Sequence, residues 1–195
     1  MAKLTLVDIS DLRAYERERE EFRSRVISLK GFRRVHVGPM VTLVFENRDT
    51  IRFQVQEMAR AEKMLSDGQI QTELDIYNPL IPEPGQLSAT LFIELTSEAE
   101  LREWLPKLVG IERSVCLRIG DEAIFARPEE GHAAQLTREE TTASVHYIRF
   151  ELTPGQVERF AREWVTLVVD HPEYLDAIRL GTDTTKALLG DLLGH

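Results

Sequence analysis

Arg33-Arg-Val-His-Val-Gly-Pro-Met-Val-Thr-Leu-Val-Phe-Glu46 decides the fold class. Arg33–Val37 reads as one strand, Gly38-Pro39 as a turn and Val41–Glu46 as a second strand, so the stretch predicts a β-hairpin. Asn47-Arg-Asp-Thr50 then turns the chain and caps a helix expected to reach about Leu65, stopped by Asp67-Gly68. On the other side, Leu12, Tyr15, Phe22, Val26 and Leu29 share one helical face, and Gly31 ends that helix. Thr5 and Asp8 stand at capping-box spacing before it, with Asp in place of the usual Glu or Gln. Helices on both sides of a hairpin argue against a βαβ nucleotide fold.

The rest of the chain repeats the theme. A short helix over Ile70–Tyr77 meets a rigid loop containing Asn78, Pro79, Pro82, Pro84 and Gly85. Leu87–Leu95 is β-like, and Ser97 with Glu100 caps a helix to about Leu108. Ser114–Ile119 and Ala123–Arg127 form a second hairpin around Gly120-Asp-Glu, and the polar residues 128–142 read as a mobile loop. Ser144–Leu152 is a strong strand, and Thr153-Pro154 opens a helix expected to run to about Val169. Asp170-His-Pro172 then breaks the chain before two further helices. The expectation is an α+β fold: an antiparallel or mixed sheet of about five or six strands covered by helices. One domain over residues 1–180 carries a C-terminal helical tail over 181–195.

A chain of 195 residues is enough for one domain and buries about 70% of the surface its unfolded form exposes. No apolar run approaches the ~20 residues that cross a bilayer, and Met1-Ala-Lys-Leu-Thr-Leu-Val-Asp8 lacks the features of a signal peptide. The expectation is a cytoplasmic protein without membrane insertion. The 24 Lys+Arg against 33 Asp+Glu give a net charge of −9, which disfavours a nucleic-acid binder. Arg23, Arg25, Lys30, Arg33 and Arg34 form one basic cluster, read as cations at a helix C-terminus or as a patch for an anion or partner. Cys116 is the one cysteine. An internal disulfide, a Cys-x-x-Cys pair and a thiolate cluster held by this chain alone are thereby excluded. The chain has no self-contained iron–sulfur or nucleotide motif, and no serine-nucleophile elbow, so any cofactor is left open.

Charged residues inside apolar patterns are the informative ones. At 100° per residue, Ile51, Val55, Met58 and Leu65 share a sector into which Glu62 projects. His146 shares its strand face with Ile148, Phe150 and Leu152, and Glu94 lies on the side of Thr90 and Phe92. Burying a bare carboxylate is costly. If the faces converge, Glu62, Glu94 and His146 form a hydrogen-bonded network, an acid–base site or a metal or polar-ligand site. Glu57, Tyr77, Asn78 and Arg149 are candidate ligand-binding neighbours, with Tyr77 on a loop that could line a pocket. Glu129-x-x-His132 has metal-ligand letters but falls in the Gly-containing loop.

Val37-Gly-Pro39, Phe45-Glu-Asn-Arg-Asp-Thr50, Gln54-Val-Gln-Glu-Met58, Arg60-Ala-Glu62, Glu73-Leu-Asp-Ile-Tyr-Asn-Pro-Leu-Ile-Pro82, Ala89-Thr-Leu-Phe-Ile-Glu94, Ser144-Val-His-Tyr-Ile-Arg-Phe-Glu-Leu152 and Asp170-His-Pro172 occur in this order. Together they resemble the bacterial DUF3501 family. The resemblance implies a small cytosolic domain without an established activity and supplies no catalytic residues. It also implies a neighbourhood of rubrerythrin-like proteins and iron–sulfur oxidoreductases, and hence a non-catalytic accessory role beside such a redox partner. The alternative is an enzyme or a metal- or small-ligand-binding protein built on the Glu/His site.

Overall fold

Val41–Glu46 is buried at all six positions, which a strand achieves only when both faces of its sheet are covered. The computed structural model, which describes residues 2–129 and 141–195, shows what covers them. The expected hairpin is β1 (Arg34–Val37) and β2 (Val41–Glu46), with Arg34 opposite Val44 and Val37 opposite Val41. Next to β2 lies β3 (Gln86–Ile93), then β7 (Val145–Glu151) and the two-residue β6 (Arg127–Pro128), all antiparallel. A second antiparallel sheet runs in the order β5 (Glu122–Phe125), β4 (Val115–Ile119), β8 (Val165–His171), β9 (Tyr174–Arg179).

One face of the five-stranded sheet presents Leu43, Phe45, Leu87, Leu91 and Phe150 to Val115, Leu117, Leu167 and Val169 of the other sheet. Each such side chain contributes roughly 1.5–3 kcal/mol by leaving water. The opposite face is roofed by helices. α1 (Leu12–Gly31) is N-capped by Asp11, and α2 (Arg48–Ala61) by Asn47 in a reciprocal box with Thr50. α3 (Asp67–Tyr77) runs into a 3-10 turn at Asn78–Leu80. Leu4, Ile51, Val55, Leu74, Leu80 and Ile81 form the core under this roof. α4 (Glu98–Trp104) is short and begins in the expected Ser97/Glu100 box.

The α+β architecture stands, with two corrections to its arrangement. Among the described residues nine strands build two sheets rather than one, because Ala126 carries the chain from β5 in one sheet to β6 in the other. The helix that opens at Pro154, α5 (Pro154–Arg162), stops well before Val169. Val165-Thr-Leu-Val-Val-Asp-His171 is strand β8, and Pro172 sits in the turn between β8 and β9 instead of separating two helices. The strand is favoured because Leu167 and Val169 enter the inter-sheet core while β-branched neighbours fit the pleat. The helix expected to reach Leu108 ends at Trp104, and the one expected to reach Leu65 ends at Ala61. The Thr5/Asp8 box caps only a single 3-10 turn, Leu6–Asp8.

α6 (Thr182–Leu193) buries Leu188 and Leu192 in the main core. The loop expected over 128–142 falls mainly on residues 130–140, outside the described residues.

Candidate functional site

Side-chain parity creates a cleft on the helix-roofed face. Antiparallel register lines up Arg34, Val44, Thr90 and Tyr147 across β1, β2, β3 and β7. The adjacent row holds Glu46, Ser88 and Arg149. Glu46 is the last residue of β2, and Asn47 immediately after it is the N-cap of α2. Its carboxylate therefore sits at the positive end of that helix. It is only 8% exposed, and it accepts hydrogen bonds from the hydroxyls of Thr50 at 2.5 Å and Thr90 at 2.6 Å.

Above this floor, Thr50, Ile51 and Gln54 of α2 meet Tyr77 and Leu80, while Lys30 and Arg34 line the mouth. This partly open cleft has a volume of about 160 Å³, close to the ~150 Å³ engineered cavity that takes up benzene. Burial pushes the Tyr77 phenol up, against a hydrogen bond with Gln54. Burial, followed by the nearby Tyr77 and Glu46, pushes Tyr147 up to about 12. Both tyrosines therefore keep their protons at neutral pH. A fixed carboxylate, two phenols, an amide and two mouth cations thus converge on one small volume.

Of the residues singled out in the sequence, Tyr77 lines this cleft. Glu62, Glu94 and His146 do not meet. Glu62 is exposed at the C-cap of α2, where the helix has already ended. Lys63 follows with a φ of +52°, and Met64 turns inward in its place. Glu94 is half-exposed on the helix-facing side and pairs with Arg34 at 3.4 Å. His146 pairs with Leu91 across the strands, so it points to the opposite face of the same sheet. There it is 2% exposed, and its Nε2 lies 2.9 Å from the Thr142 hydroxyl and 2.9 Å from the Ala143 carbonyl. Burial lowers its pKa, and the neighbouring charge of Glu112 opposes the drop. Glu112 is itself buried, and its Oε2 has no hydrogen-bond partner among the described residues.

The other candidates hold elements together. Glu57 accepts from Tyr15 at 2.7 Å and twice from Arg19 at 2.8 Å, joining α1 to α2. Asn78 exchanges two bonds with the backbone of Leu4. Arg149 binds the Pro79 carbonyl and Glu129, the latter at 2.7 Å. His132 lies outside the described residues. The basic cluster is largely engaged at home. Arg33 is buried against Asp191, Arg25 covers the Phe22 ring at 5.0 Å, and Lys30 stands 6.0 Å from the Phe53 ring. Sequence reasoning missed Glu46, Gln54, Thr90 and Tyr147. The available signal was the parity that sets Glu46 with Val44 on the helix-facing side.

Comparison with known proteins gives kinship and shape. The model of a family described as a protein of unknown function, DUF3501, matches residues 3–192. A crystal structure of a novel protein of unknown function from Burkholderia pseudomallei K96243 is similar, with 39% sequence identity, a TM-score of 0.90, and coverage of 98% of this chain and 100% of that one. No curated protein matches.

Proposed function

This chain belongs to the DUF3501 family, and from that premise we propose that it works as a non-catalytic binding protein for a small polar ligand held in the Glu46 cleft. The observation that carries the reading is Glu46 itself: a carboxylate 8% exposed, braced by two hydroxyls and opening on a cavity of about 160 Å³. Small-ligand sites are concave, with a few convergent polar groups on an apolar lining. Phenols that keep their protons and a carboxylate already braced grip a guest better than they turn one over.

Amide-resolved NMR with a panel of small amines, amino acids and carboxylic acids tests this. A panel member should shift the amides around Glu46, Gln54 and Tyr147, and a Gln54→Trp variant that fills the cleft should abolish the shift. Identical shifts in that variant, or none with any member, contradict the reading.

The accessory role beside an iron–sulfur or rubrerythrin-like oxidoreductase is a separate proposal, resting on the family resemblance alone. Gentle, low-salt co-purification from a native host tests it. Recovery of such an oxidoreductase supports it, and recovery of none contradicts it.

A further inference from the structure

We infer that the ligand of the Glu46 cleft is a small zwitterion, an amino acid of about six to eight non-hydrogen atoms, with its ammonium group against Glu46 and its carboxylate toward Lys30 and Arg34. The inference rests on the binding reading above and gives it a chemical class.

The floor supplies the first half. An ionised carboxylate has about four acceptor sites, and the Thr50 and Thr90 hydroxyls occupy two of them on Glu46. Those partners are uncharged, and among the described residues no lysine or arginine pairs with Glu46. Burying a negative group favours a positive partner that brings its own hydrogen bonds. An ammonium group carries three donors, enough for the free acceptor sites. Tyr77 and Tyr147 line the same cavity, and aromatic faces attract cations.

The mouth supplies the second half. Lys30 and Arg34 line it. Among the described residues Arg34 is held only by Glu94, at 3.4 Å between side chains 42% and 45% exposed, a pairing of little strength in water. Arg34 and Glu46 stand on adjacent strands in diagonal register, which sets their backbones roughly 7–8 Å apart. A guest negative at one end and positive at the other spans that interval. The cavity, about 160 Å³, limits it to little more than the size of benzene.

Matched probes test the class: 4-aminobutyrate, butylamine and butyrate, titrated by amide-resolved NMR into the wild type, Glu46→Gln and a Lys30→Met/Arg34→Met double variant. 4-Aminobutyrate should bind at least about tenfold more tightly than either truncated probe. Glu46→Gln should remove that advantage and weaken butylamine. The double variant, altered only at the rim, should weaken 4-aminobutyrate and leave butylamine unchanged; it reads the proposal even if Glu46→Gln fails to fold. Butyrate or butylamine binding the cleft as well as 4-aminobutyrate overturns the zwitterion while the binding reading stands. The same holds if all three are silent and another panel member binds. Silence from the whole panel overturns both.

Discussion

Arg33 and Asp191, 158 positions apart, form a buried bidentate ion pair at 2.6 and 2.8 Å. It fastens the start of β1 to the last turn of α6, and both side chains are less than 5% exposed. Removing one partner strands the other charge, so Arg33→Ala should cost about 3–5 kcal/mol. Replacing both with apolar residues, Arg33→Met with Asp191→Leu, should cost far less. Urea unfolding of the two variants checks the contrast. Equal losses would mean that the charge pairing itself is not what is felt.

Gly38 is held at a φ of +66°, where a Cβ would lie 2.2 Å from an Asp176 carboxylate oxygen and 2.4 Å from the Tyr174 hydroxyl. That hydroxyl donates to the Val37 carbonyl at 2.5 Å, so the β1–β2 turn is latched onto β9. Gly38→Ala should lose roughly 1–3 kcal/mol. Gly190→Ala, in a helix with nothing within 4 Å, should gain about 0.5–1 kcal/mol. Thermal unfolding should therefore move in opposite directions for the two.

Acidification should weaken the fold in two stages. His146 has a folded pKa below its ordinary value of 6.5, so the unfolded chain binds its proton first. Stability is then fully present above about pH 6.5 and falls as the pH drops through the folded value. Arg19, and then Tyr15, hold Glu57 below its ordinary 4.5 against the effect of burial. Its contribution is present above that value and is lost on further acidification. Denaturation midpoints measured from pH 7 to 5 should fall for the wild type and flatten for a folded His146→Gln variant. An unchanged slope in that variant would assign the first stage to another group.

Cys116 is 1% exposed, and burial raises its thiol pKa. A water-soluble thiol reagent should therefore leave the native protein unmodified and label it completely in urea. Prompt labelling without denaturant would contradict that placement.

The sequence carried the hairpin of Arg34–Glu46 well, because local alternation and a Gly-Pro turn settle it without help from the rest of the chain. Val165–Asp170 was less legible: an apolar run after a capped helix start suits a continuing helix as well as a strand, and only the opposite sheet decides. Glu62 misled for a related reason. Extrapolating a helical sector past Ala61 assumes a helix that the left-handed Lys63 ends. Glu46 looked like an ordinary strand terminus, because its burial depends on α2 and Tyr77 folding over a face that pattern alone leaves open. His146 was correctly placed among apolar neighbours, but its parity with Leu91 keeps it from Glu94.

The most direct test is a crystal of the protein soaked with 4-aminobutyrate. Density for one molecule in the cleft is expected, its nitrogen within hydrogen-bond distance of a Glu46 oxygen and its carboxylate toward Lys30. A cleft holding only water at saturating ligand, or a molecule with its carboxylate against Glu46, would contradict the account.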